Sequence, residues 1–317
     1  MPREDEILRD TDYVLEKLQE LREKTIWPNG QRYLWTDAFG LILLTSLALE
    51  LGRGRLLDQA EDLVRKVNEV LGRPKGLRIG EAPDRDGQYF HYLAMWIYAL
   101  SQLGELRPSY KQEAIRLVKD IHPHFVEPGV GVHWKMLEDL SAPSPGFGYG
   151  ALDAFHGYVV YQSLDPKALQ REIQDMESLI QHQFRRLHVD QDLGLGMILW
   201  MSHFHQDKEW AALQIDRCLS TLDRMWVQPP GYFCRHPGME DIRFAFTNYG
   251  VSIGLQAVDR WSDRVISLND YFEDYRSGDE HDEAAITWVM ACTSRFPGLF
   301  LADERDRLLG KKGHLHV

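Results

Sequence analysis

The sequence predicts an all-α chain folded as an α/α toroid, six helical hairpins with an inner ring of buried helices inside an outer ring of amphipathic ones. Three observations carry this. Segments with apolar residues at three- and four-residue steps recur along the chain, segments that are apolar nearly all round alternate with them, and strand patterns are nearly absent. The β-branched run at 158–161 falls within a helical period. A helix without a polar face must be surrounded by protein, so the alternation sorts the helices into two layers. A toroid accounts for every second helix having lost its polar face where a bundle does not, with an open solenoid as the alternative.

Taken in order, the amphipathic-then-buried pairs are 4–24 with 36–52, 55–72 with 87–104, and 108–122 with 150–164, followed by 167–187 with 192–205, 208–226 with 244–259, and 261–276 with 281–296. In the second pair, Leu57, Ala60, Leu63, Val64, Val67 and Leu71 form one stripe, with Asp58, Glu61, Asp62, Arg65 and Lys66 between them. Its buried member reads YFHYLAMWIYAL, and LILLTSLALELG (41–52) is the buried helix before it. Tight returns such as GRGR (52–55), LGELRP (103–108) and DP (165–166) leave the buried helices, whereas longer segments enter them. Direction alternates along such a chain, so all six buried helices run parallel and open their N-terminal ends at one mouth. The stretch 123–149 lacks a helical pattern and is expected to fold over that mouth. No linker or low-complexity segment interrupts residues 1–317, which predicts a single domain.

With 44% hydrophobic and 26% charged residues, the chain is neither disordered nor fibrous. Lys+Arg number 36 against 48 Asp+Glu, a formal charge of −12 without a basic run, so nucleic acid is not an expected partner, although a local basic groove is compatible with that balance. Residues 1–24 lack the pattern of a secretory signal, and the longest apolar run, 39–49, is shorter than the roughly 18 to 20 residues a membrane span requires. A cytoplasmic protein with no membrane partner is the expectation. Cys218, Cys234 and Cys292 are too widely spaced for a disulfide framework or a paired-cysteine metal site. No zinc, calcium-loop or phosphate-loop motif is present, and neither a metal nor a cofactor is expected. The acids and histidine at 280–283 read as a charged helix start.

The segments entering the mouth mix acids, histidines, aromatics and glycines, a composition suited to a polyhydroxylated ligand, with rings against sugar C–H faces and polar groups on hydroxyls. Asp37 opens a buried helix, as a helix-capping carboxylate or a catalytic one. Asp86, beside Tyr89, Phe90 and Tyr92, is the first choice for a catalytic carboxylate. Asp153 and His156 lie three apart on one helix face, where the carboxylate can fix the imidazole tautomer and raise its basicity, or form a buried structural pair. His236 precedes Pro237-Gly238, a bend that can project its ring. His91 reads as a core histidine or a ligand contact. Trp35, Tyr89, His133, Trp134, Lys135, Tyr149, Arg243, Asn248 and Trp288 complete the expected substrate-binding set.

The strings RYLWTDAFG (32–40), RDGQYFHYL (85–93), HWKM (133–136) and ALDAFHGY (151–158), together with the paired-helix rhythm, resemble the six-hairpin glycosidase superfamily, α/α toroid proteins that include unsaturated glucuronyl hydrolases. The resemblance implies aspartates and aromatics in the mouth, a placement that Asp37, Asp86 and Asp153 match by type and position. Arg235-His236-Pro237-Gly238 also resembles a segment of the sugar 2-epimerases and aldose–ketose isomerases, toroids that move protons with histidines. Here the chain departs from that pattern, continuing Met239-Glu240-Asp241. The leading expectation is a glycoside hydrolase acting on a saccharide through a carboxylate pair, Asp86 with Asp153 or Asp37. The alternative is an epimerase or isomerase using His91, His156 or His236. An enzyme for a terpenoid or other apolar substrate and a non-catalytic ligand-binding scaffold are the further readings.

Overall fold

Both hydrophobic patterns become helices where they were expected. The computed structural model describes residues 8–227, 232–233, 244–278 and 280–315, without the side chains of Tyr232 and His314. In chain order the helices are α1 (Thr11–Glu23), α2 (Leu34–Leu51), α3 (Gly54–Leu71), α4 (Phe90–Gly104), α5 (Pro108–Phe125), α6 (Asp153–Leu164) and α7 (Gln170–Gln183). They continue as α8 (Asp192–His203), α9 (Glu209–Met225), α10 (Ala245–Ala257), α11 (Ser262–Asp274), α12 (Ala285–Arg295) and α13 (Ala302–Leu309). The chain forms two compact units, one of residues 31–184 with 308–317 and one of residues 1–30 with 185–307. The first holds α2–α7, the second α1 and α8–α12.

The pairing of helices differs from the expected one. Among the amphipathic helices, each buried helix packs most on the one that follows it: α2 on α3, α4 on α5, α6 on α7, α8 on α9 and α10 on α11, while α12 takes α1. The reason is connection length. A return of a few residues leaves consecutive helices side by side and antiparallel, whereas a long connection carries the chain elsewhere. Gly52 makes the first return possible: it closes α2 with φ 63°, the left-handed conformation that a side chain disfavours. α1 is fixed to α12 by a backbone bond from Asp10 N–H to Arg295 C=O (3.0 Å) and by Lys17 Nζ lying 4.3 Å over the Trp288 ring.

Within the first unit α4 lies between α2 and α6, and within the second α10 lies between α8 and α12. The α8–α10 contact is backbone on backbone. A methyl group on Gly196 would strike the Gly250 main chain, and one on Gly254 would strike that of Gly196. α2 exceeds the 39–49 run because Leu34, Trp35 and Ala38 extend its apolar surface. At 18 residues and mean hydropathy 1.5 it reaches spanning length by composition, yet 89% of it is buried within the protein. It serves as a core helix. Leu41, Ile42 and Leu44 have no exposure, and truncating such a residue to alanine costs about 2–5 kcal/mol.

The long connection after α5 contains short strands that the sequence pattern did not reveal. β1 (Gln88–Tyr89), directly before α4, pairs antiparallel with β4 (Lys135–Met136), and β2 (Val126–Glu127) pairs with β3 (Gly131–Val132). In the other unit β5 (Trp226–Val227) pairs with β6 (Tyr232–Phe233). Two-residue ladders are too short to impose an alternating pattern. Cys218 and Cys292 are buried, with thiol pKa values pushed up by desolvation, and serve as packing residues. Cys234 lies outside the described residues.

Candidate active site

In the α2–α7 unit the N-terminal ends of three buried helices meet. Trp35 of α2 and His91 of α4 have ring centroids 6.0 Å apart, and His91 Nδ1 is 3.8 Å from Asp153 Oδ1 of α6. The β1–β4 ladder brings the long connection onto this end by pairing Tyr89 with Lys135. That register sets Trp134 beside His91, where the Trp134 indole N–H donates to His91 Nδ1 at 3.2 Å. Nδ1 is therefore an acceptor, and a neutral His91 carries its proton on Nε2.

Asp153 is 2% exposed, and desolvation holds its carboxyl well above the usual carboxylate range, which favours the protonated form. His156, 2% exposed on the next turn of α6, is pushed down to about 3 by burial. His91 is also pushed down to about 3, by burial and then by the proximity of His156. The expected couple within α6 is thus revised. The histidine that Asp153 approaches through Oδ1 comes from α4, and sequence spacing within one helix cannot report a neighbour on another.

An aromatic surface covers this group. Trp134, 42% exposed, lies 5.7 Å from Tyr89 and 5.4 Å from Phe147 between ring centroids. Tyr92 contacts Trp35, Tyr89 and His91, and its hydroxyl lies 2.5 Å from that of Tyr33. Burial drives both phenols upward, Tyr33 to about 12, so each keeps its proton. Lys135 is buried with its ammonium 4.9 Å from both the Tyr89 and Phe147 centroids, and it donates to the Arg85 carbonyl. The lysine props the aromatic surface from behind. His133 stacks on Tyr149 at 4.8 Å, and the Tyr149 hydroxyl donates to Glu127 at 2.5 Å. This pair forms an exposed extension of the same connection.

The other expected carboxylates have different surroundings. Asp86 Oδ1 accepts from the N–H groups of Ile79 (3.1 Å), Gly80 (3.2 Å) and Gly87 (2.9 Å), and Oδ2 is 2.5 Å from Arg78 Nη1. Both oxygens are occupied in pinning the loop before β1, a positioning duty. Asp37 is buried and ion-paired with buried Arg32 at 3.1 Å. The catalytic expectation for Asp86 is corrected on these grounds. Arg32 and Arg78 escaped sequence reading because they stand five and eight residues from their partners, with no helical or strand period linking them.

Asn248 and Trp288 belong to the other unit and are buried there. Asn248 accepts from Phe233 N–H at 2.9 Å and donates toward Asp192, while Trp288 carries Lys17 and Arg276 on its faces. Both work in packing. His236 and Arg243 lie outside the described residues. Among the described residues, no three His, Cys, Asp or Glu side chains group closely enough to hold a metal ion.

No protein-family model and no curated protein matches the sequence. Solved structures do match in fold. The chain is similar to cellobiose 2-epimerase from Bacillus thermoamylovorans, with a TM-score of 0.60 at 11% identity over 89% of this chain and 98% of that one. A D-mannose isomerase gives a TM-score of 0.62 at 11% identity over 93% and 98%. A sugar epimerase from a ruminal bacterium gives 0.59 at 14% identity over 89% and 98%. These likenesses show the fold, an α/α toroid.

Proposed function

We propose that the protein is a carbohydrate-active enzyme that epimerises or isomerises a free sugar, with His91 and His156 moving the proton. The observation that carries this reading is the group of two neighbouring neutral imidazoles beside a protonated carboxyl, beneath an aromatic surface. The structural neighbours, sugar epimerases and an isomerase, support it over hydrolysis. A glycosidase needs two carboxyl groups, one of them an acid that donates a proton. Asp37 and Asp86 are each ion-paired with an arginine, and Asp153 is the carboxyl that burial shifts toward its protonated form.

In the proposed reaction an imidazole removes the proton at C2 of an open-chain aldose. The C–H electron pair forms the C1–C2 double bond, and the carbonyl pair moves to O1, which takes a proton. Return of a proton to the opposite face of C2, with loss of the O1 proton, gives the epimer, and protonation of C1, with loss of the O2 proton, gives the ketose. Asp153 is the group suited to protonate O1, and Trp134 with Tyr89 is suited to stack on the sugar ring.

Incubation with free aldoses and disaccharides in D2O, followed by NMR, tests this. Solvent deuterium at C2 of an epimer, or at C1 of a ketose, is the expected result. Release of monosaccharide without deuterium at these carbons restores the hydrolase, and no conversion of any sugar removes both.

A further inference from the structure

The α8–α12 unit contains a cavity of about 550 Å3 between the 185–189 connection and one face of α9, within the size range of small-ligand sites. Its charge contrasts with that of the whole chain. Four arginines (Arg185, Arg186, Arg217 and Arg224) line it against one carboxylate, Asp216, in a protein of net charge −12. Arg217, Ser220, Thr221 and Arg224 follow steps of three and four residues on α9 and so present one face.

Arg224 and Arg186 differ from Arg185 in their partners. Arg224 donates to Ser220 Oγ at 3.0 Å and Thr221 Oγ1 at 3.1 Å, two neutral acceptors that orient the fork and leave its charge in place. Arg186 is exposed, and among the described residues neither it nor Arg224 has a carboxylate partner. Arg185 does have one, Glu209 at 2.6 Å. Behind the arginines, Leu187 and Leu195 form an apolar floor.

We propose that this cavity binds a phosphate-bearing small molecule, with Arg186 and Arg224 engaging the phosphate and the carbon skeleton resting on the leucine floor. A guanidinium fork matches two phosphate oxygens at once, and several forks around one cavity suit a dianion with more than two oxygens better than a carboxylate. The inference is independent of the catalytic reading, since it uses no residue of the other unit.

Isothermal titration of the full chain with inorganic pyrophosphate and with a hexose 6-phosphate, against sulfate at matched ionic strength, is the test. Saturable one-to-one binding of both phosphates is expected, with sulfate weaker by about tenfold or more. The double variant R186A/R224A, checked for unchanged circular dichroism, loses about tenfold or more in affinity. Glu209→Gln releases Arg185 and tightens binding by a few-fold, an outcome that a folding defect cannot mimic. The proposal is overturned if neither phosphate saturates, if sulfate binds equally, or if the double variant binds unchanged. Binding of pyrophosphate with the hexose phosphate excluded also overturns it.

Discussion

Each unit gathers the N-terminal ends of three buried helices, and each places an aspartate on the first turn of one of them: Asp153 on α6 and Asp192 on α8. Their surroundings are opposite. Asp192 accepts from Leu193 N–H at 2.8 Å and Thr247 Oγ1 at 2.7 Å, with Asn248 Nδ2 at 3.4 Å. Asp153 faces His91 at 3.8 Å, His156 follows one turn on, and its Oδ2 is buried without a hydrogen bond. One carboxylate is an anchor tying α8 to α10 and, through Asn248, to β6. The other is a stored proton in an apolar setting. The same helical architecture thus yields a structural end and a chemically charged end, and hydrogen-bond supply decides which is which.

The contrast can be broken most directly by activity. Replacing His156 with Asn is expected to lower sugar turnover by about 10²–10⁴-fold with the fold intact, whereas Asn248→Ala leaves turnover per folded molecule within a few-fold. Deuterium exchange at C2, followed by NMR, reads both. Stability separates the aspartates next. Asp192→Ala removes an acceptor from Leu193 N–H, Thr247 and Asn248, the last two keeping the Phe244 carbonyl, and is expected to cost about 1–2 kcal/mol in urea unfolding. Asp153→Asn carries the opposite sign, raising stability at neutral pH, because it removes a carboxyl that the fold keeps protonated and the unfolded chain ionises.

Titration sharpens the same point. His91 and His156 fall to about 3 in the fold from an unfolded value of 6.5, so the unfolded chain binds more protons in acid. Their contribution is complete above pH 6.5 and is lost as pH falls from there toward 3. Asp153 acts inversely: its contribution is complete below about pH 4 and is lost as pH rises toward its elevated folded value. Asp153→Asn therefore flattens the neutral side of the unfolding curve and leaves the acid loss. The smallest effect concerns Trp134. Trp134→Phe removes the donor to His91 Nδ1, and 15N shifts of His91 are expected to show a mixture of tautomers in place of the single Nε2–H form.

Hydrophobic period alone located twelve helices and their two layers, because a buried helix and a half-buried one differ in composition at every turn. Of the residues singled out in sequence, Trp35, Tyr89, His91, Asp153 and His156 stand at or near the starts of α2, α4 and α6, and Trp134 lies on the connection after α5. Pairing was another matter. Period says which face is apolar and not which neighbour covers it, so α1 was matched with the next helix in sequence when its partner is α12. Charge chemistry was equally out of reach. Asp37, Asp86, Asp153 and Asp192 look alike in sequence, each an acid leading into a buried helix. Only tertiary structure gives the first two an arginine, the last a set of donors, and Asp153 the imidazole of His91 from α4, because a carboxyl's chemistry follows from neighbours brought from other elements and from the water they exclude.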